Sequence, residues 1–246
     1  MKITDHFSPN FEERRHPIDM IILHYTDMKN ASEAVERLCD PTAKVSAHYL
    51  ISKTGEIVRL VPEDKVAYHA GISYWRGRSS LNAYSIGIEL DNLGHLNGPE
   101  AFPEIQIESL LSLIDVIRVR HSIPDYNIVG HSDVAPSRKK DPGELFPWNQ
   151  LAEEGHGIWP PLLFNLPLQD ETKFFFSSRD CLITQQALAC IGYHLDPTDS
   201  MTEEAELVIT AFQRHFLPMN VTGCLDAETV QAIQVVKEAY SDKSFY

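Results

Sequence analysis

The chain has 246 residues, and its hydrophobic fraction of 43% and charged fraction of 23% exclude a disordered, collagenous or coiled-coil protein. No apolar run approaches the roughly 18 residues that span a bilayer, so no integral membrane segment is predicted. With 21 Lys and Arg against 35 Asp and Glu, the net charge is −14, which disfavours nucleic acid as a partner because phosphate groups are repelled.

Strand and helix patterns alternate over roughly the first 150 residues. In chain order, the predicted elements are a buried strand at 19–24, a helix capped by Ser32 and running to about Leu38, a hairpin within 46–61 turning at Thr54-Gly55, a strand at 84–90, an amphipathic helix between Pro103 and Pro124, and a short strand at 127–131. The single Gly87 inside the strand 84–90 indicates that another group approaches the backbone closely. This order predicts an α/β fold with a central mixed β-sheet flanked by helices.

The composition changes after Trp148, where prolines and glycines interrupt any periodic pattern. Three helical patterns follow, at 181–191, 203–216 and about 226–240, with Asp226 as an N-cap. They predict a small all-α module of three helices. The predicted domains are therefore residues 1–160 as the α/β domain, 161–176 as the linker and 177–246 as the helical module.

The cysteines and the N-terminal sequence are used to predict the cellular compartment of the protein. Cys39, Cys181, Cys190 and Cys224 form no CxxC pair and are expected to be free, mostly buried thiols, which suits a reducing compartment. The N-terminal sequence shows no apolar core or cleavage site of a signal peptide. We therefore expect a cytoplasmic location for the chain as given, and a periplasmic one if a leader has been trimmed.

Two histidines end short apolar strands. His24 ends the run 19–24, and His131 ends the run 127–131. The ends of strands are where α/β sheets present their working groups. A hydrogen-bonded histidine with only a structural role is an equally common outcome at such a position.

The segment that follows His131 concentrates charge in a loop rich in turn residues. Two histidines and one carboxylate, with a fourth position left to water, form the ligand set of a catalytic zinc site. Spacing alone does not decide which aspartate supplies the carboxylate ligand. Asp133 lies two residues from His131, whereas Asp141 lies ten residues away and requires the loop to fold back. The sequence has no HExxH motif, which excludes the helical zinc-protease arrangement.

The motifs between about residue 15 and residue 160 resemble a known family. Five of them follow the order and nearly the spacing of the zinc-dependent N-acetylmuramoyl-L-alanine amidases of the AmpD/AmiD type: HYTD (24–27), VSAHYLI (45–51), AYHAG (67–71), SIGIELDN (85–92) and GHSDVAPSRKKDPG (130–143). The C-terminal helices resemble the three-helix peptidoglycan-binding module of AmiD-like members, through LVITAFQRHF (207–216) and TGCLDAETVQAI (222–233).

This resemblance implies a metal site. It makes His24, His131 and Asp141 the ligands of one Zn²⁺ per catalytic domain, and it leaves Asp133 as a turn residue or a supporting group. A site with two neutral imidazoles and one carboxylate keeps a net positive charge and lowers the pKa of a zinc-bound water, which is the nucleophile in this family.

The resemblance also implies two catalytic residues. It matches the glutamate of the family to Glu89 and the lysine to Lys139. A carboxylate at position 89 can take a proton from water and return it to the leaving amine, and a cation at position 139 can stabilise the oxyanion. From the pattern alone, a solvated strand face for Glu89 and a solvated RKK run for Lys139 are the competing interpretations.

Further residues match positions that line the substrate groove in the family. They are His48, His69, Arg78 and Arg138, of which the two arginines correspond to contacts with stem-peptide carboxylates. The implied substrate is the amide bond between N-acetylmuramic acid, including its 1,6-anhydro form, and L-Ala of the stem peptide in peptidoglycan fragments. The preference for the anhydro sugar and for a given stem-peptide length is left open.

Two other functions compete with this hypothesis. A non-catalytic peptidoglycan-recognition protein would typically lack a zinc ligand, whereas every ligand position is filled here. A structural zinc site in an interaction module normally has four protein ligands, often cysteines, and no cysteine lies near these motifs. Whether the C-terminal helices bind glycan or brace the catalytic domain is also left open.

Overall fold

The structure is a computed structural model that describes residues 2–165 and 177–241. The strands are β1 (Ile3–Asp5), β2 (Phe11–Glu13), β3 (Met20–Tyr25), β4 (Tyr49–Ile51), β5 (Ile57–Arg59), β6 (Lys65–Ala67), β7 (Tyr74–Trp75), β8 (Arg78–Ser79), β9 (Ser85–Leu90) and β10 (Ile128–Gly130). The α-helices are α1 (Ala31–Cys39), α2 (Gly94–Asn97), α3 (Glu104–Arg120), α4 (His131–Val134), α5 (Trp148–Glu153), α6 (Ser178–Ile191), α7 (Glu203–Phe216) and α8 (Ala227–Ser241). Within this part of the chain, no helix is both long and apolar enough to cross a membrane.

Six strands form a mixed sheet in the order β1-β5-β4-β9-β3-β10. The strands β4, β9, β3 and β10 are parallel neighbours, whereas β4 and β5 pair antiparallel as the predicted hairpin. The mixed α/β architecture predicted from the sequence is thereby confirmed. Because parallel strands end at the same edge of a sheet, the residues at the ends of β3, β9 and β10 are neighbours in space.

The strand β3 is buried on both faces, as its continuous apolar run predicts. Successive side chains of a strand point to opposite faces, so each face belongs to a different core. On one face, Ile21 and Leu23 pack with Ile114 and Ile117 of α3. On the other face, Met20 and Ile22 belong to a cluster that includes most of the apolar residues of α6, α7 and α8.

The C-terminal helices therefore share one hydrophobic core with this face of the sheet. The cluster that they share with it includes Trp75 and Val134 from the first part of the chain and Ile209 and Phe212 from α7. Residues 166–176, which make up most of the predicted linker, lie outside the described residues, as do 242–246 at the end of the predicted helical module. The predicted domain boundaries stay a prediction.

Three local expectations need correction. The N-cap of α1 is Asn30, whose side chain accepts a hydrogen bond from the backbone of Glu33, and not Ser32. His131 follows β10 as the first residue of α4 and does not itself belong to the strand. The four cysteines are free as predicted, but none is buried: two are half-buried and two are exposed.

Candidate metal centre and active-site cleft

The edge at which β3, β9 and β10 end carries the predicted site. Seven of the nine site residues predicted from the sequence line one cleft of about 410 Å³: His24, His69, Glu89, His131, Arg138, Lys139 and Asp141. The loop after α4 folds back because the backbone N–H of Ser132 donates to the carbonyl of Asp141 over 2.8 Å. This return brings Asp141 beside His24 of β3 and beside His131, the first residue of α4.

A compact group of donor atoms lies at the base of the cleft. Oδ2 of Asp141 is 2.9 Å from Nδ1 of His24 and 2.9 Å from Nδ1 of His131. One ligand atom from each of these three buried residues lies within 4.8 Å of the others. The structure therefore brings together the residues that the family resemblance assigned to the metal, and it places Asp133 outside this group.

A chain of hydrogen bonds fixes the tautomer of His24. The hydroxyl of Ser85 donates to the carbonyl of Leu81 over 2.7 Å, so its oxygen accepts from Nε2–H of His69 over 3.2 Å. Nδ1 of His69 then carries a lone pair and accepts from Nε2–H of His24 over 3.0 Å. Nδ1 of His24 is left with a lone pair that faces Asp141.

The second histidine is oriented in the same way. Nε2 of His131 lies 3.1 Å from the carbonyl of Ala70, which only accepts, so Nε2 carries the proton and Nδ1 carries the lone pair. Burial lowers the pKa of His24 to about 4, with the neighbouring His131 adding to the effect, so His24 is neutral at neutral pH. Two nitrogen lone pairs and a carboxylate oxygen thus converge, an arrangement that a cation stabilises.

The close approach predicted at Gly87 is confirmed and involves His69. A Cβ atom built on Gly87 would lie 2.4 Å from the His69 ring, well inside van der Waals contact. The backbone N–H groups of His69 and Ala70 both donate to Oδ1 of Asn82, over 3.1 and 2.7 Å. The absence of a side chain at position 87 therefore makes room for the imidazole that orients His24.

Glu89 projects its carboxylate into the same cleft. Among the described residues, its buried Oε2 has no hydrogen-bond partner. Burial raises the pKa of Glu89 well above the usual range, the charge of Asp141 adds to the rise, and the charge of Lys139 opposes it. A carboxylate with an unpaired oxygen beside a metal group is suited to accept and return a proton.

The cations of the predicted RKK run differ in position. Lys139 is half-buried in the cleft wall. Arg138 is exposed, and its guanidinium donates to the carbonyls of Ala70 and Ile72, the first over 3.0 Å. Arg138 therefore ties the segment after β6 to the loop that carries Asp141 while it lines the cleft.

Two of the predicted groove residues do not line this cleft. His48 is fully buried and accepts at Nδ1 from the backbone N–H of Gly87 over 3.0 Å. Arg78 donates to Asp19 over 2.7 Å, and its guanidinium lies over the Tyr84 ring. His48 therefore binds the backbone of β9 in the protein interior, and Arg78 lies away from the cleft, beside Asp19 and Tyr84.

Several residues that support the site were not predicted from the sequence. Ser85, Asn82 and Ala70 orient the two histidines through the hydrogen bonds described above. Of these, only Ala70 and Ser85 fall inside motifs that the sequence analysis quoted, AYHAG and SIGIELDN. A serine hydroxyl or a backbone carbonyl has no signature of its own, so the pattern alone could not have identified them.

The family model of the N-acetylmuramoyl-L-alanine amidases matches residues 14–144. The chain belongs to this family. The match spans all three residues of the metal group as well as Glu89 and Lys139 of this amidase.

Relatives with both parts of the chain are also found. N-acetylmuramoyl-L-alanine amidase AmiD from Escherichia coli is 38% identical over 242 residues, which cover 91% of this chain and 83% of that protein. The solved complex of AmiD with anhydro-N-acetylmuramic acid-L-Ala-D-gamma-Glu-L-Lys matches this amidase with a TM-score of 0.78 and 34% identity, covering 95% of this chain and 99% of the other. AmpDH3 from Pseudomonas aeruginosa, in complex with an anhydromuramic pentapeptide, matches with a TM-score of 0.75 and 32% identity over 91% of this chain and 92% of that one.

Proposed function

We propose that this amidase is a zinc enzyme that hydrolyses the amide bond between N-acetylmuramic acid, including the 1,6-anhydro form, and L-Ala in peptidoglycan fragments. The observation that carries the proposal is the convergence of three lone-pair donors, Nδ1 of His24, Nδ1 of His131 and Oδ2 of Asp141. Their arrangement requires a positive charge between them, because the other nitrogen of each imidazole is already committed to a hydrogen bond.

The donor set fits Zn²⁺ better than other common biological cations. Two imidazole nitrogens and one carboxylate oxygen are typical of catalytic zinc sites, whereas Mg²⁺ and Ca²⁺ prefer oxygen ligands alone. When bound there, Zn²⁺ supplies Lewis-acid chemistry, which lowers the pKa of a water and polarises an amide carbonyl. His69 and the Ala70 carbonyl hold the two imidazoles in place for it.

Glu89 moves the proton in the proposed reaction. Glu89 lines the cleft in which the scissile amide would lie, and its Oε2 has no hydrogen-bond partner among the described residues. It takes a proton from the attacking water and delivers one to the nitrogen of L-Ala as the amide bond breaks, so that the carboxylate ends the cycle as it began.

Lys139 and Arg138 supply positive charge in the proposed cleft. Lys139 stabilises the oxyanion that develops on the amide carbonyl, because an ammonium group in a half-buried position is screened less than one in water. Arg138 binds a carboxylate of the stem peptide at the cleft wall, since its guanidinium is held in place by backbone carbonyls.

Two solved relatives support this class of substrate. The AmiD complex holds an anhydro-N-acetylmuramic acid tripeptide, and the AmpDH3 complex holds an anhydromuramic pentapeptide. Both structures cover more than nine-tenths of this chain. A substrate composed of a muramic acid and a short stem peptide is therefore proposed for this amidase as well.

The test is mass spectrometry of purified muropeptides after incubation with the protein, with and without a zinc chelator. Anhydro and non-anhydro substrates are compared in parallel, and an Asp141→Ala variant serves as the control for the metal site. We expect release of the free stem peptide and the intact sugar, loss of cleavage on chelation, and recovery when zinc is restored. Muropeptide binding without cleavage by the zinc-loaded protein would instead favour a peptidoglycan-recognition function.

A further inference from the structure

Asp133, which the sequence left as an alternative metal ligand, forms a buried link between the metal loop and the C-terminal helices. Its side chain is 1% exposed. It accepts three hydrogen bonds, each of 2.8 Å: from the backbone N–H of Gly130, from the hydroxyl of Tyr193 and from Nδ1–H of His215. Two of its three donors thus come from the C-terminal helical part of the chain.

The bond from Gly130 ties this carboxylate to a metal-binding residue. Asp133 closes the first turn of α4, which begins at His131, by capping the backbone N–H at its start. The conformation of that turn sets the direction in which the imidazole of His131 leaves the backbone. A shift of the Asp133 carboxylate therefore displaces Nδ1 of His131 from Asp141.

His215 is itself fixed by its neighbours. Its ring is stacked between Trp148, at a centroid distance of 3.9 Å, and Phe216, at 4.0 Å. The ring has no freedom to turn away from Asp133, since both faces are covered. The preceding residue of α7, Arg214, forms an ion pair at 3.9 Å with Glu144, just beyond Asp141. His215 and Arg214 thus contact Asp133 and Glu144, which lie near the two ends of the segment that contains His131 and Asp141.

We propose that Tyr193 and His215 are positioning residues for the metal centre and that the C-terminal helices act through Asp133 to hold His131 in its ligand geometry. This inference rests on the proposed zinc site. It gives the helical part a role in metal binding, separate from any contact with glycan.

The test compares isosteric variants of the full-length protein. Tyr193→Phe removes one hydroxyl, and His215→Phe keeps a ring between Trp148 and Phe216 but removes the donor to Asp133. His215→Asn restores an N–H donor at a similar position. Tyr240→Phe is the matched control, because Tyr240 also packs against Trp75 in the C-terminal core but makes no hydrogen bond to Asp133 within the described structure.

The measurements are the zinc dissociation constant, obtained by competition with a chromophoric chelator, and the thermal unfolding of the metal-free protein. We expect Tyr193→Phe and His215→Phe each to weaken zinc binding about 3- to 10-fold, and the double variant Tyr193→Phe/His215→Phe to weaken it about 10- to 100-fold, as for other residues that support metal ligands. His215→Asn should regain most of the affinity, and Tyr240→Phe should stay within about twofold of the wild type. In turnover assays, kcat should fall while KM stays near the wild-type value.

The outcomes separate this inference from the proposed function. A double variant that binds zinc as tightly as Tyr240→Phe overturns the inference, even if it is less stable to heat. If the double variant does not fold, the zinc affinities of His215→Phe and His215→Asn are compared instead. Equal affinities of these two variants, both matching Tyr240→Phe, would likewise overturn the inference. A wild-type protein that binds no zinc overturns the proposed function, and this inference with it.

Discussion

His24 and Glu89 lie directly opposite each other on the adjacent parallel strands β3 and β9. Register partners in a sheet project to the same face, and neighbouring strands are held about 4.8 Å apart by backbone hydrogen bonds. The sheet therefore places an imidazole of the proposed metal site and the proposed proton acceptor side by side without relying on a loop. A site built on strands in this way is more rigid than one built on connecting segments.

Replacing Glu89 with Gln should separate catalysis from metal binding. The variant keeps the shape of the side chain but cannot accept a proton, so we expect kcat to fall about 10²- to 10⁴-fold while the zinc affinity is retained. Because burial raises the pKa of Glu89, its ionised form destabilises the folded protein at neutral pH, and the variant should be at least as stable as the wild type. Cleavage at the wild-type rate would show that another group moves the proton.

Lys139 and Lys140 provide a test of the oxyanion role. Lys139 is half-buried and its charge opposes the rise that burial causes in the pKa of Glu89, whereas Lys140 is exposed in the same run. We expect Lys139→Gln to lower kcat about 10²-fold with little change in KM, because the lost charge acts mainly in the transition state. Lys140→Gln is the matched control and should change kcat less than threefold. Equal effects of the two substitutions in steady-state kinetics would contradict a specific role for Lys139.

His69→Phe should weaken metal binding without removing a ligand. The variant fills similar space beside Gly87 but offers no acceptor to Nε2–H of His24, which is left buried and unpaired. We expect about a 10- to 100-fold loss of zinc affinity in a chelator competition assay. His156→Phe, which replaces a buried histidine near Arg118, is the control, and its zinc affinity should match the wild type.

Glu144 makes the stability of the protein depend on pH in the acid range. The hydrogen bond from His95 lowers the pKa of Glu144 from 4.5 to about 2. Because the folded-state pKa is depressed, the ionised carboxylate stabilises the fold above about pH 4.5, and this contribution is lost as the pH falls towards about 2.

Urea unfolding of the metal-free protein tests this effect. We expect Glu144→Gln to lower the free energy of unfolding by about 1–3 kcal/mol near neutral pH, with the gap to the wild type closing between about pH 5 and pH 2. If the difference in the free energy of unfolding between the two proteins does not change across this pH range, the charge of Glu144 beside His95 does not stabilise the fold.

The elements of the fold that depend on local patterns were predictable. In β9 successive side chains point to opposite faces, so Ile86 and Ile88 lie in the core with α3 whereas Glu89 lines the cleft. The spacing of apolar residues in α3 and the Asp226 cap of α8 were read from a few consecutive residues. Such features follow from backbone periodicity and local hydrogen bonds, which the sequence carries explicitly.

The residue types at the site, and the five motifs that associate them, could be read from the amino-acid sequence. Their individual roles became apparent from the three-dimensional contacts. These contacts assign His69 to orienting His24, 45 positions away, and Asp133 to a bond with His215, 82 positions away. The physical reason is that a hydrogen bond depends on direction and distance between atoms, and for residues so far apart in the chain these are set by how the sheet and helices pack.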